Sequence, residues 1–159
     1  MAELILLHEL ATYLASEEIG SGDLDAAPAD DVATIWVNPR DGAPEPRTGE
    51  RGTITLSELM SGLEHPVAPW IDVTIVDIVV RAYEEATTKL IHRAIRDLLV
   101  PVDSPGGRKQ WQMNDLLVEQ TTLYRGEQEV GRSATSYDRA ASFEFWCRRK
   151  SLAGQPYAP

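Results

Sequence analysis

The sequence predicts an α+β fold, in which a mostly antiparallel mixed sheet of five or six strands carries two helices on one face. Two stretches place apolar residues at helical spacing, and about six show the alternation of strands. Short turn-rich links favour hairpins over long crossovers. The 159 residues, 43% hydrophobic and 25% charged, suit one globular domain, expected over 1–152 with 153–159 as a flexible tail.

The first helix is predicted over 3–18, where Leu7, Leu10 and Leu14 recur at helical spacing before the glycines at 20 and 22. The second is predicted over 83–99, with Pro101 preventing its continuation. The apolar stripe expected on this second helix consists of Ala86, Leu90, Ile91, Ala94, Ile95 and Leu98.

Strands are predicted over 32–37, 53–59, 70–82, 110–113, 116–124 and 140–149. The alternation in the third strand slips after Ile75, which predicts a β-bulge or a change of partner near 75–76. Residues 38–52 contain three prolines and three glycines and are expected to form a long, exposed, mobile loop. Residues 125–133 are expected to be a polar connection. Trp146 lies on the otherwise polar face of the last strand, which predicts that this second sheet face is also covered.

The net charge of −10 is concentrated in the first part of the chain. Residues 1–69 hold 13 acidic and 3 basic residues, whereas residues 70–159 hold 12 of each. Tight binding to duplex DNA is disfavoured because phosphate contacts need Lys and Arg, although DNA sliding past without sticking is compatible with this charge. No apolar run approaches the ~20 residues of a membrane span, and we expect neither a signal peptide nor a membrane partner.

Motifs for catalysis or metal binding are incomplete in this sequence. His8 and Glu9 begin like a zinc-protease HExxH helix, but position 12 is Thr. Residues 20–22 lack the lysine of a phosphate loop, and Pro28 stands where a calcium loop needs Gly. The three histidines and the single cysteine are scattered at His8, His65, His92 and Cys147. We therefore expect no enzyme, no cofactor and no metal site, and the lone cysteine favours a reducing cytoplasm as the place of folding.

Several short strings and their order resemble the tail-terminator proteins of long-tailed bacteriophages, also called tail-completion or minor capsid proteins. The resemblance spans roughly residues 1–150. The matching strings are LHELATYL at 7–14, IWVNP at 35–39, IDVTIVDIVVRA at 71–82, YEEA at 83–86, LL at 98–99 and SFEFW at 142–146.

This resemblance implies a structural virion protein at the neck or top of the tail, made in the host cytoplasm. Family members form a six-membered ring that caps the tail tube, ends its polymerisation and gives the head-side connector or stopper protein a docking surface. The implied partners are other copies of the chain and the major tail tube protein, with DNA only in passage. No catalytic residue belongs to the pattern.

The residues add two hypotheses about such a ring. The density of acids in one loop suggests that Asp23, Asp25, Asp30 and Asp31 line the pore and repel passing phosphates. The edges around 70–82 and 140–149, which are apolar or aromatic on both faces, are expected to join subunits. The residues expected at that interface are Trp70, Val79, Arg81, Trp146, Arg148 and Arg149.

Two other functions fit part of this pattern. Another neck component, such as a head-closure or adaptor protein, would share the size, acidity and ring symmetry. A small acidic cytoplasmic protein that mimics nucleic acid would explain the charge. Such a mimic would, however, spread its acids over one surface instead of combining them with a neutral second part that has terminal arginines.

Overall fold

The computed structural model describes residues 2–64, 68, 70–104, 106–132 and 136–149. Within these residues the chain forms two helices and six strands, in the predicted order α-β-β-β-α-β-β-β. The elements are α1 (Ala2–Ser16), β1 (Ala33–Val37), β2 (Gly52–Glu64), β3 (Asp72–Ala82), α2 (Glu85–Leu99), β4 (Arg108–Gln112), β5 (Leu116–Arg132) and β6 (Tyr137–Arg149). The predicted tail at 153–159 lies outside the described residues.

The six strands form one mixed sheet in the order β1-β2-β3-β6-β5-β4. β1 runs parallel to β2, and every other neighbouring pair is antiparallel. This confirms the predicted α+β class. β3 and β6 are the two central strands, each hydrogen bonded on both sides, so the expectation that their edges join subunits is wrong. Only their faces are available to a partner.

Both helices pack on the same face of this sheet, as predicted. Leu7, Leu10 and Leu14 of α1 and Ile91, Ile95 and Leu99 of α2 belong to one buried cluster. The strands contribute Ile54, Leu56, Val76, Ile78, Phe143 and Phe145 to it. Each fully buried Leu or Ile contributes roughly 1.5–3 kcal/mol relative to an exposed position, so this layer is the main source of stability.

The buried face of α2 differs from the predicted stripe. Leu90 is 54% exposed, and Ala86 and Ala94 are exposed beside it. Thr88 and His92 are buried instead. Both polar side chains find partners, because the Thr88 hydroxyl donates to the Glu85 carbonyl and His92 Nε2 lies 2.7 Å from the Arg139 carbonyl oxygen. These hydrogen bonds help the two polar groups to occupy the core, although Nδ1 of His92 is buried without a hydrogen-bond partner.

The irregularity predicted near residues 75–76 lies in the neighbouring strand. β3 pairs with β6 from Asp72 to Ala82 without a register shift. The pairing of β2 with β3 shifts between Glu58 and Met60, opposite Val76 and Ile75, so the extra residue belongs to β2. The apolar pattern of β3 slips because both of its faces are buried at this point, with Ile75 on one side and Val76 on the other.

The loop from 38 to 51 is anchored to the sheet, which contradicts the prediction of a mobile loop. The Thr53 hydroxyl donates to the Pro44 carbonyl at 2.8 Å, and the Tyr83 hydroxyl donates to the Pro46 carbonyl. Arg81 Nη1 donates to the Ala43 carbonyl at 2.6 Å. These side chains come from β2, β3 and the turn after β3, so the loop crosses one end of the sheet.

The connection predicted over 125–133 continues β5 as far as Arg132 and forms a long hairpin with β6; position 133 lies outside the described residues. Three of the four register shifts in this pairing fall between Leu123 and Gly131, which explains why the sequence lacks a clean strand alternation there. In the part of the chain that the structure describes, no helix is long and apolar enough to cross a membrane.

Candidate interaction surface

The strand register brings several of the expected interface residues onto one surface, which we call the helix-free face. It is the side of the sheet opposite α1 and α2. Residues that pair directly across two neighbouring strands point to the same face of the sheet. The pair formed by Val76 and Phe143 belongs to the helix-packed core. The alternate pairs therefore lie on the helix-free face, among them Val79 with Ala140 and Val73 with Trp146.

One end of the helix-free face carries a group of apolar side chains beside Glu144, which pairs with Ile75. Met60 pairs with Ile75, and Leu63 pairs with Val73, which pairs in turn with Trp146. Ile75 and Val73 are buried, whereas Met60 is 39% and Leu63 41% exposed. The indole Nε1 of Trp146 donates to Glu144 Oε1 at 2.6 Å, so its polar edge is satisfied within the chain. We call Met60, Leu63, Val73, Ile75 and Trp146 the apolar zone.

The opposite end of the helix-free face is ionic and carries the anchored loop. Arg81 donates from Nε and Nη2 to the two carboxylate oxygens of Asp138, at 2.6 and 2.7 Å. This paired hydrogen bonding to Asp138 raises the pKa of the Arg81 guanidinium. Ser142 donates to Asp77 at 2.9 Å in the middle of the face. Arg81, expected at a subunit interface, is therefore already engaged within its own chain.

The other expected interface residues lie near the apolar zone. Trp70 precedes β3 and is 39% exposed. Arg148 pairs with Leu117 and so shares the helix-free face, and its Nε lies 2.6 Å from Glu119 Oε1. Arg149 ends β6 opposite Leu116. Trp70, Arg148 and Arg149 thus gather at the same end of the sheet as Met60 and Leu63.

The four aspartates expected at a pore all lie in the loop between α1 and β1 and are all exposed: Asp23, Asp25, Asp30 and Asp31. The Asp25 amide donates to Asp23 Oδ1, which forms a local turn. Arg47 Nη1 donates to the Ala26 carbonyl at 3.0 Å. The anchored loop at 38–51 is therefore hydrogen bonded to the acidic loop between α1 and β1. The orientation of these aspartates towards a pore stays a prediction.

A groove of about 500 Å³ lies between α1 and the edge strand β1. Small and apolar side chains form most of its wall. The lining residues are His8, Ala11, Thr12, Ala15, Gly22, Leu24, Ile35, Trp36 and Val37. Sequence reasoning missed this groove. Its only signal was the pair of alanines, Ala11 and Ala15, on the helix face that meets the edge strand.

The titratable groups considered for catalysis do not converge among the described residues. His8 is exposed on α1, His92 is buried on α2 and His65 lies outside the described residues. Burial lowers the pKa of His92 and raises the pKa of the Cys147 thiol. Within the described residues, no group of three or more His, Cys, Asp or Glu side chains is arranged to hold a metal ion.

Two buried carboxylates were also missed from the sequence. Glu50 accepts a hydrogen bond from the Arg47 amide at 2.8 Å and so closes the turn at the end of the anchored loop. Glu9 Oε1 accepts from the Asp115 amide at 2.9 Å, which ties α1 to the turn between β4 and β5. Glu50 also pairs with the Arg47 guanidinium at 3.4 Å, whereas Oε2 of Glu9 is buried without a hydrogen-bond partner.

A comparison with protein-family models and with curated proteins finds no match to this chain. The surfaces of the chain therefore carry its functional assignment.

Proposed function

We propose that this chain is a structural virion protein that forms a ring on the end of a phage tail tube, ends tube polymerisation and provides the docking surface for the head-side connector. The observation that carries the proposal is the apolar zone of the helix-free face. Met60 and Leu63 present large apolar side chains on a sheet that is already fully paired at its centre. An exposed apolar patch on a folded sheet is typical of a protein interface.

The layer arrangement supports a role that depends on association. A two-layer α+β domain buries one sheet face under its helices and leaves the other to solvent or to a partner. Here the second face exposes Met60 at 39% and Leu63 at 41% beside half-buried Trp146, so a neighbouring subunit would gain apolar contact there. A contact between different surfaces of identical subunits closes into a ring when its rotation permits.

The charge distribution supports the expected passage of DNA. The four exposed aspartates of the α1–β1 loop form a fixed negative surface, since Arg47 ties that loop to the rest of the chain. A negative pore wall repels phosphates, so DNA moves through without being held.

The test combines mass measurement with electron microscopy. Purified protein mixed with tail tubes is expected to give a ring on the tube end, and a virus lacking this chain is expected to make overlong tails. A persistent monomer on the tube end would contradict the proposal. Tails of normal length without this chain would instead identify a head-closure or adaptor protein of the same neck.

A further inference from the structure

The outward side of α2 carries a second apolar row besides the row that is buried against the sheet. Ala86, Leu90, Ala94 and Leu98 follow one another at intervals of four residues and so form one continuous row along the helix. Leu90 is 54% exposed, Ala86 and Ala94 are exposed, and Leu98 is half-buried. We call these four residues the outer row. Apolar residues on two sides of a helix indicate that a second element packs on it.

The outer row has the shape that a second helix needs. The small side chains of Ala86 and Ala94 leave hollows on either side of Leu90, into which larger side chains of a partner can fit. Rows of residues four apart on two helices interlock in this way and bring the helix axes to about 8–10 Å. An extended strand repeats every two residues and does not match this spacing. The outer row therefore fits a helix with large apolar side chains at intervals of four.

Basic residues line one side of the outer row. Lys89, Arg93 and Arg96 are all exposed and follow one another at spacings of four and three. Lys89 pairs with Glu85 at 3.3 Å, whereas neither arginine forms an ion pair within the described part of the chain. With Glu85 and Asp97 as its two acidic residues, α2 has a net charge of 3 − 2 = +1 in a chain of −10. Carboxylates of a partner would therefore meet unpaired guanidinium groups here.

A second copy of the chain is a poor occupant of the outer row. In an antiparallel pair of identical α2 helices, each basic flank meets the same flank of its partner, so Lys89 and Arg93 of the two copies would repel one another. In the proposed ring, the apolar zone of the helix-free face supplies the subunit contact and leaves the helix layer open. The charge of the outer row therefore favours a different, acidic protein.

We infer that the outer row of α2 docks an acidic amphipathic helix of the head-side connector, with Leu90 at the centre of the contact and Arg93 and Arg96 paired with carboxylates at its edge. This inference rests on the proposed function, to which it adds the docking surface and the chemistry of the partner. It assigns the two partners to opposite sides of the sheet, since subunits meet on the helix-free face and the connector on the helix layer.

Joining of capped tails to filled heads of the same virus tests this surface, because those heads carry the head-side protein. Leu90→Asp and the double change Arg93→Glu with Arg96→Glu should leave the ring and the tail length unchanged and slow head joining by about tenfold or more. The matched control is Arg40→Glu with Arg125→Glu, which changes the charge equally at exposed positions outside α2. Circular dichroism melting should show that all of these variants fold.

Two peptide competitors test the chemistry of the partner. A synthetic helical peptide with leucines on one face and glutamates on the other should inhibit the joining of capped tails to heads. The same peptide with lysines in place of the glutamates should not inhibit it, because it repels the basic flank of the outer row. Inhibition by duplex DNA but not by the glutamate peptide would identify a phosphate partner and overturn the inference.

The outcomes separate this inference from the proposed function. Normal joining by both α2 variants, or equal slowing by the control variant, would refute the docking surface and leave the proposed function intact. Loss of the ring with Leu90→Asp would assign the outer row to subunit contacts and also overturn the inference. Failure of the unmodified chain to cap tails would refute both.

Discussion

Arg81 and Asp138 join the two halves of the sheet through paired hydrogen bonds of 2.6 and 2.7 Å, although 57 positions separate them in the sequence. The same guanidinium also donates a hydrogen bond to the Ala43 carbonyl. The change Arg81→Gln removes both connections and should lower the free energy of unfolding by about 2 kcal/mol.

Loss of Arg81 should also release the loop from 38 to 51, so trypsin should cleave at Arg40, Arg47 or Arg51 faster than in the unmodified chain. The control is Arg96→Gln, because Arg96 is exposed in the last turn of α2. Equal cleavage of the unmodified chain and Arg81→Gln would show that other contacts hold the loop.

Gly107 occupies a position where a side chain cannot fit. Its φ of +103° is unfavourable for other residues, and a Cβ there would lie 2.2 Å from the Thr121 carbonyl oxygen. Gly107→Ala should therefore destabilise the fold by about 3 kcal/mol or more, measured by urea unfolding. Gly126→Ala is the matched control, since a Cβ there meets no atom within 4 Å. Similar stability of the two variants would contradict the turn geometry.

His92 should make the fold sensitive to acid. Burial lowers its pKa in the folded chain, where Arg139, Glu127 and Asp77 are the charged groups around it. Its ordinary pKa is 6.5, so the unfolded chain binds the proton more readily. Stability from this group is complete above about pH 6.5 and is lost as the pH falls below that value.

Urea unfolding between pH 5 and 8 measures this dependence. The change His92→Gln should flatten the part of the pH profile below 6.5, because the amide does not titrate in this range. His8→Gln, at an exposed position of α1, should leave the profile unchanged. A profile that is identical in the unmodified chain and His92→Gln would assign the acid sensitivity to other groups.

The apolar zone should be the surface on which the ring depends. Met60→Asp places a charge on an exposed position of that zone and should abolish ring formation on tube ends while changing stability by less than about 0.5 kcal/mol. Leu90→Asp is the control, because Leu90 is also an exposed apolar residue but lies on α2. If Leu90→Asp abolished the ring and Met60→Asp did not, the subunit interface would lie on the helix layer instead of the apolar zone.

Local patterns were sufficient to predict the α+β class, the element order and the helix-packed face, because strand alternation and helical spacing reflect burial directly. The pattern of β3 was harder to interpret, since Ile75 and Val76 are buried on opposite faces and the extra residue lies in β2. Strand order depends on pairings between distant segments, so the central positions of β3 and β6 had no local signal. The burial of His92 depends on the Arg139 carbonyl, which only the folded chain brings near, whereas the Thr88 hydroxyl bonds within its own helix.

The central pairing of β3 with β6 also shapes how the chain folds. It joins residues 72–82 to 137–147 and is the strand pairing through which β1 and β2 connect to β4 and β5. A nascent chain that has completed α2 therefore still presents one unpaired edge of β3. Such distant contacts slow folding and expose intermediates to aggregation. Synthesis at high copy number should thus require a chaperone, or slower production at lower temperature, until the last strand has been made.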